Sequence, residues 1–177
     1  MKTIILSFVL MLSILSCKKV DEFTKFTIKS DTESVIESVI GINLPITILT
    51  PPITTNVEQK MEEENSNKDL IESANLTQLI LTTKSPESSN FDFLNQIEIF
   101  IKANGLAKQK IASKYDIPET GLKTLDLTIV PNIDLTNYIK ADSYSIEISV
   151  ETDQVHLQDV TLGIHSEVFV DAKILGL

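Results

Sequence analysis

The sequence contains no arginine and no tryptophan, and only one cysteine, two histidines and five glycines among its 177 residues. All 15 basic residues are therefore lysines, and 25 acidic residues outnumber them for a formal net charge of −10. Arginine's planar fork is the usual means of gripping phosphates and guanine edges in pairs of hydrogen bonds. Its absence, together with the acidic balance, argues against nucleic acid as a partner. The negative charge reads as a solvated surface that keeps copies apart. A single cysteine leaves nothing to pair with, which removes the disulfide framework typical of small secreted domains. Tryptophan, a common aromatic platform of carbohydrate binders, is missing too, which weakens that function. The zinc-protease helix H-E-x-x-H, the nucleophile elbow G-x-S-x-G and the phosphate-binding P-loop are all absent from the chain.

The first stretch of note is MKTIILSFVLMLSILSCKK, residues 1–19. Lys2 provides a basic start, Ile4 to Leu15 an apolar run interrupted by Ser7 and Ser13, and Ser16 a small residue before Cys17. This is the layout of a secretory signal. It falls short of the roughly 20 apolar residues that a bilayer-spanning helix requires. Ile14-Leu15-Ser16-Cys17 resembles the lipobox of bacterial lipoproteins. The resemblance implies cleavage between Ser16 and Cys17, a diacylglycerol thioether on the Cys17 sulfur and acylation of the new amine. A thiol is required because its thiolate is a strong nucleophile that serine cannot match. Each buried CH2 of an acyl chain contributes about 0.8 kcal/mol, so two or more chains anchor stably where one is marginal.

The expected division is a signal at 1–16, a lipidated cysteine with a charged tether at 17–22, and one domain over 23–177. Lys19-Val20-Asp21-Glu22 is similar to the lysine-plus-acidic export signal of surface lipoproteins in Bacteroidota, with Val20 intruding. The tether, FDFLNQIEIFI and the terminal VDAKILGL resemble small uncharacterised lipoproteins of that group. What the resemblance implies is location: the cell envelope, with the outer membrane as the expected site and either face open.

Beyond the tether the periodicity is that of strands. Phe26 and Ile28 alternate with lysine and threonine, ESVIESVI at 33–40 favours a strand through its Val-Ile pairs, and Leu44 to Thr50 is closed by Pro51-Pro52. Thr55 and Glu58 fit a capping box for a helix over 55–64, with Val57 and Met61 on one face. Asn75 to Thr83 reads as a buried strand and SPESSN, 85–90, as a loop. Ile97, Ile99 and Ile101 mark a strand that Asn104-Gly105 closes, with 111–115 pairing back as a hairpin. Leu125, Leu127 and Ile129 form another strand. Asp134 is set to cap a single helical turn holding Leu135, Tyr138 and Ile139.

Two longer runs follow. Tyr144, Ile146, Ile148 and Val150 alternate with polar residues, the pattern of a strand with one wet face. The even positions from Val160 to Ile174 are apolar except Ser166, and Gly163 or Ser166 is the expected point where so long a strand bends or crosses between sheets. The sum is an all-β, two-layer antiparallel sandwich, immunoglobulin-like in general layout, of about seven to nine strands with one short helix and a helical-turn connector.

Candidate chemistry is sparse. His156 lies near Asp153 and Asp159, and His165 near Glu167, residue types that ligate zinc. Their spacing matches no metal motif, and both read as surface histidines. Glu62 to Glu64 supplies carboxylates without the loop that calcium needs. Asn75-Leu76-Thr77 matches a glycosylation sequon. No catalytic residue, metal ligand or cofactor is expected. The functional expectation is a non-enzymatic binding or structural domain, held to the membrane by its lipid and meeting an envelope protein through a sheet edge or loops. The alternatives are a carrier with an apolar cleft between the sheets, and a hydrolase without a recognised motif.

Overall fold

The computed structural model describes residues 25–38, 45–63, 66–152, 154–155 and 157–173. The signal, Ser16, Cys17, the tether, Asp153, His156 and Ile174 lie outside the described residues. Alternating apolar side chains build ten strands: β1 (Lys25–Ile36), β2 (Pro45–Leu49), β3 (Ile53–Thr54), β4 (Ile71–Ser85), β5 (Leu94–Lys102), β6 (Gln109–Lys114), β7 (Thr124–Asp126), β8 (Thr128–Ile129), β9 (Ser143–Thr152) and β10 (Val160–Ala172). Two short helices, α1 (Val57–Glu63) and α2 (Thr136–Lys140), and a 3-10 turn at Lys68–Leu70 complete the described elements.

The strands form two antiparallel sheets, ordered β1-β10-β4-β7 and β2-β9-β5-β6-β8, with β3 also paired to β9. The expected two-layer sandwich is thus observed, but its strand order is not that of an immunoglobulin domain. First pairs with last (β1 with β10), β2 with β9, β4 with β7 and β5 with β6. This is the wrapped-hairpin order of a jelly roll. The even positions of β10 and of β9 point inward and, with Ile97, Ile99 and Ile101 of β5, make one core.

Five local expectations change. Of the segment 33–40, residues 33–36 end a single strand starting at Lys25, Glu37 and Ser38 lie past it, and 39–40 are outside the described residues. The helix begins at Val57 rather than Thr55, and the capping box does not form. Thr55 Oγ1 donates instead to the Ala141 carbonyl at 3.0 Å, and Glu58 pairs with Lys68 at 3.4 Å. Tying Thr55 to the chain before β9 is a tertiary demand that outweighs a local cap; Val57 and Met61 nonetheless bury as expected. The long strand β10 stays in one sheet throughout, absorbing its length in register shifts at Thr161/Leu162, Glu167/Val168 and Asp171/Ala172. The crossing occurs at Leu127, whose N–H donates to the Leu79 carbonyl of β4 before Thr128 pairs with Ser113 of β6. The expected strand 125–129 is therefore two short strands in different sheets. The N-cap of α2 is Leu135, which makes no side-chain cap bond, rather than Asp134; Asp134, one residue earlier, accepts the Thr136 N–H at 2.9 Å.

The register sets the two ends of the sandwich. Lys25 faces Asp171 at one end and Ile36 faces Val160 at the other, about 36 Å away along twelve residues of strand. The 3-10 turn and both helices sit at the Lys25 end, where Ser66 Oγ donates to the Lys173 carbonyl and Lys68 meets Asp142. The ends of β1, β4, β6 and β9 and the starts of β2, β5, β7 and β10 gather at the opposite end.

Candidate functional site

Besides the ion pairs on the outer face of the second sheet, three places on the described surface hold polar chemistry or exposed apolar groups. The first is the opening between the edge strand β1 and the β3–α1 segment, a cleft of about 510 Å³. The inward positions of β1 begin with Phe26 and Ile28 but continue as Ser30, Thr32 and Ser34. Hydroxyls therefore enter the layer between the sheets. Tyr144 of β9, 6% exposed, lines the cleft with Ser30, near the buried Ser166 of β10. Burial pushes the Tyr144 hydroxyl above its ordinary pKa, while those two serines act the other way. Ile28, Ile53 and Ile139 form apolar parts of the lining, and Thr32, Thr54 and Thr55 polar ones. The expected cleft between sheets exists, but its walls are hydroxyl-rich, which does not suit the apolar carrier. Ser30, Thr32 and Ser34 at even positions, in register with Phe26 and Ile28, were the signal that sequence reasoning passed over.

The second place surrounds His165 on the outer face of the four-stranded sheet. Nδ1 lies 2.8 Å from Asp31 Oδ1 and Nε2 3.4 Å from Glu167 Oε1, and Lys29 Nζ lies 2.6 Å from the same Glu167 oxygen. The wet-face assignment of His165 holds, for its side chain is 31% exposed. Both ring nitrogens face carboxylates, so this histidine has no free nitrogen to act as base toward a serine. His156 and Asp153 lie outside the described residues, while Asp159 accepts the Ser38 N–H at 2.8 Å. Among the described residues no three His, Cys, Asp or Glu side chains are grouped to hold a metal ion.

Asp31 is the main cause that raises the His165 pKa above 6.5, with Glu167 adding to it against a smaller loss from burial. A raised folded-state pKa stabilises the protein below the unfolded value and loses that contribution as pH rises through the folded one. Asp31 lies on β1 and His165 on β10, so the protonated ring clasps the edge strand. Denaturation of wild type and His165→Gln at about pH 5 and about pH 9 is expected to show the larger gap at the lower pH. Equal gaps at both would remove the clasp.

The outer face of the other sheet is an ion-pair lattice. Glu147, 8% exposed, receives Lys108 at 2.7 Å and Lys102 at 3.3 Å. Lys108, first, and then Lys102 hold its carboxyl below the usual range against desolvation. Lys108 also stands 4.6 Å from the Phe100 ring centroid. Tyr115 donates to Glu98 at 2.6 Å and Lys110 reaches the same oxygen at 3.1 Å. Each cation here has a partner, as expected of a protected, solvated sheet face.

The third place is the loop end remote from Lys25. Val155 and Leu157 are 50% and 75% exposed between β9 and β10, beside a groove of about 340 Å³ whose other wall includes Ser88, Asn90 and Phe93. The opposing loops are braced: Asp92 accepts the Gly121 N–H at 2.7 Å, with Gly121 at φ 72°, and Lys123 Nζ donates to the Glu87 carbonyl. A residue with a Cβ is strained at that φ, so the brace depends on glycine.

No protein-family model matches the chain, and no curated protein matches its sequence. Among solved structures, the chain is similar to the decameric BFDV capsid protein, at 10% identity and a TM-score of 0.40, over 84% of this chain and 98% of that one. It is also similar to the acidic stable capsid of Helicobacter pylori bacteriophage KHP30, at 7% identity and a TM-score of 0.37, over 82% and 92%. A third likeness is to the C-terminal domain of a chitobiase from Bacteroides fragilis, at 11% identity and a TM-score of 0.33, over 75% and 66%.

Proposed function

We propose that this chain is a lipid-anchored envelope lipoprotein whose β-sandwich is a non-enzymatic binding domain that holds an envelope protein at its distal loops. Cys17 is the lipidated residue, Ser16–Cys17 the cleavage point, and the outer membrane the expected location. The observation that carries the reading is a separation of ends. Lys25 follows Cys17 by eight residues, a reach of at most about 28 Å. Exposed Val155 and Leu157 belong to the opposite end of the sandwich, beyond Val160. A tether at one end and an apolar patch at the other support a domain that stands off a membrane and meets its partner outward. The paired lysines and the absence of arginine support a protein partner over nucleic acid.

The test is fractionation and affinity capture of the full chain from its native envelope, with Cys17→Ser and Leu157→Asp in parallel. Wild type is expected in the membrane fraction with a reproducible partner. Cys17→Ser is expected to lose lipid and membrane retention, because no acyl chain remains. Leu157→Asp should keep the membrane and lose at least tenfold of the captured partner, the scale of one apolar anchor placed against a charge. Retention of Cys17→Ser in the membrane with its signal uncut would defeat the anchor. Undiminished capture by Leu157→Asp would defeat the distal patch.

A further inference from the structure

The cleft between β1 and the β3–α1 segment is separate from the distal loops, and its chemistry names a different ligand. We infer that it binds a small uncharged polyhydroxylated molecule, a sugar or polyol, with Tyr144 and Thr32 as its principal polar contacts. Three observations lead there.

First, the charges at the rim are already engaged. Lys29 is paired with Glu167, Asp31 with His165 and Lys60 with Glu63 at 3.5 Å. An ionic ligand would have to break one of these pairs, whereas a neutral one leaves them intact. Second, the wall offers neutral donors and acceptors in excess of what the fold consumes. The Thr55 hydroxyl is committed to Ala141, but the hydroxyls of Thr32 and Thr54 have no hydrogen-bond partner among the described residues. Tyr144 and Ser30 also line the cleft, and their hydroxyls can act toward a ligand hydroxyl as donor or acceptor. Third, Ile28, Ile53 and Ile139 present aliphatic surface between those hydroxyls. A polyol has the matching mixture of C–H and O–H faces, while an acyl chain would strip water from the hydroxyls without replacing its bonds. A volume of about 510 Å³ lies in the range of small-molecule sites.

No bond is made or broken in this reading; the cleft is a binding site. The inward serines and threonines of β1 then have a reason to interrupt a core strand.

The test is amide-shift NMR of the full chain in a zwitterionic detergent that carries no sugar, titrated with glycerol, glucose, N-acetylglucosamine, glucuronate and octanoate. The neutral polyols are expected to shift the amides of Ser30, Thr32, Thr54 and Tyr144 saturably, with glucuronate weaker and octanoate without effect there. Tyr144→Phe and Thr32→Val each remove one hydrogen-bonding hydroxyl and should weaken the tightest neutral ligand about three- to tenfold. Glu87→Gln, on the remote loop between β4 and β5, should leave that affinity unchanged. If Tyr144→Phe perturbs the fold, Thr32→Val on the edge strand still reads the same contact. Absence of saturable shifts, unchanged affinity in Thr32→Val, or saturable binding of octanoate or preferential binding of glucuronate in the cleft overturns the inference.

Discussion

Phe91→Ala is expected to lower the unfolding free energy by about 3–5 kcal/mol, the usual range for emptying a wholly buried phenylalanine site. Phe91 is 0% exposed although it lies in the connection between β4 and β5. Its N–H donates to the Leu122 carbonyl at 2.9 Å, and its own carbonyl accepts the Leu94 N–H at 3.0 Å. The backbone that carries the ring is therefore held from both sides, by the loop preceding β7 and by the first residue of β5. Little can collapse into the space the ring leaves, because Asp92–Gly121 and Lys123–Glu87 hold the surrounding loops in place. Urea denaturation should show a lower midpoint at an unchanged slope. Phe91→Leu, which keeps much of the volume, should cost less than half as much. A loss below about 1 kcal/mol for alanine would mean that the loop end opens separately from the core.

The second large effect lies at the centre of the six-stranded sheet. Ile48, Ile148 and Ile99 stand directly opposite one another across β2, β9 and β5, and Ile148 and Ile99 are 0% exposed. Ile148→Ala and Ile99→Ala are each expected to cost about 2–5 kcal/mol. Because they touch across one pair of strands, the double variant should cost less than the sum by about 0.5–3 kcal/mol. The shortfall arises because the second truncation enlarges a cavity whose contacts are already lost. Strict additivity in a double-mutant cycle would show that the two side chains do not share a packing site.

Much of this core was legible in the sequence. Strict alternation identified the inward faces of β5, β9 and β10, and the helical spacing of Leu135, Tyr138 and Ile139 identified α2. Alternation reports which side of a strand is buried but not which strand lies beside it. The crossing at Leu127 was hidden for this reason, since Leu125 and Leu127 keep their inward period while the partner changes from β4 to β6. The same blindness applies to charge. Glu147 looked wet by its position in SYSIEISVE, yet it is covered by Lys102 and Lys108 from the neighbouring strand and its connection. Asp31, the closest partner of His165, stands 134 residues away in the chain, beyond any local motif. The hydroxyls of the cleft were visible as letters in β1, and only the opposing Tyr144 gives them a shared purpose.

The pairing of β1 with β10 carries a consequence in time. Lys25 meets Asp171 and Ile36 meets Val160, so the outermost closure joins the two most distant described strands. Contacts of such sequence separation cost loop entropy before they return stability, and they make folding slow. β1 has no ladder partner until the last strand is delivered, and its hydroxyl-bearing face has no opposite wall until β9 is in place. A chain synthesised from its N-terminus consequently reaches its native wrap only once β10 has been made, and remains threadable until then.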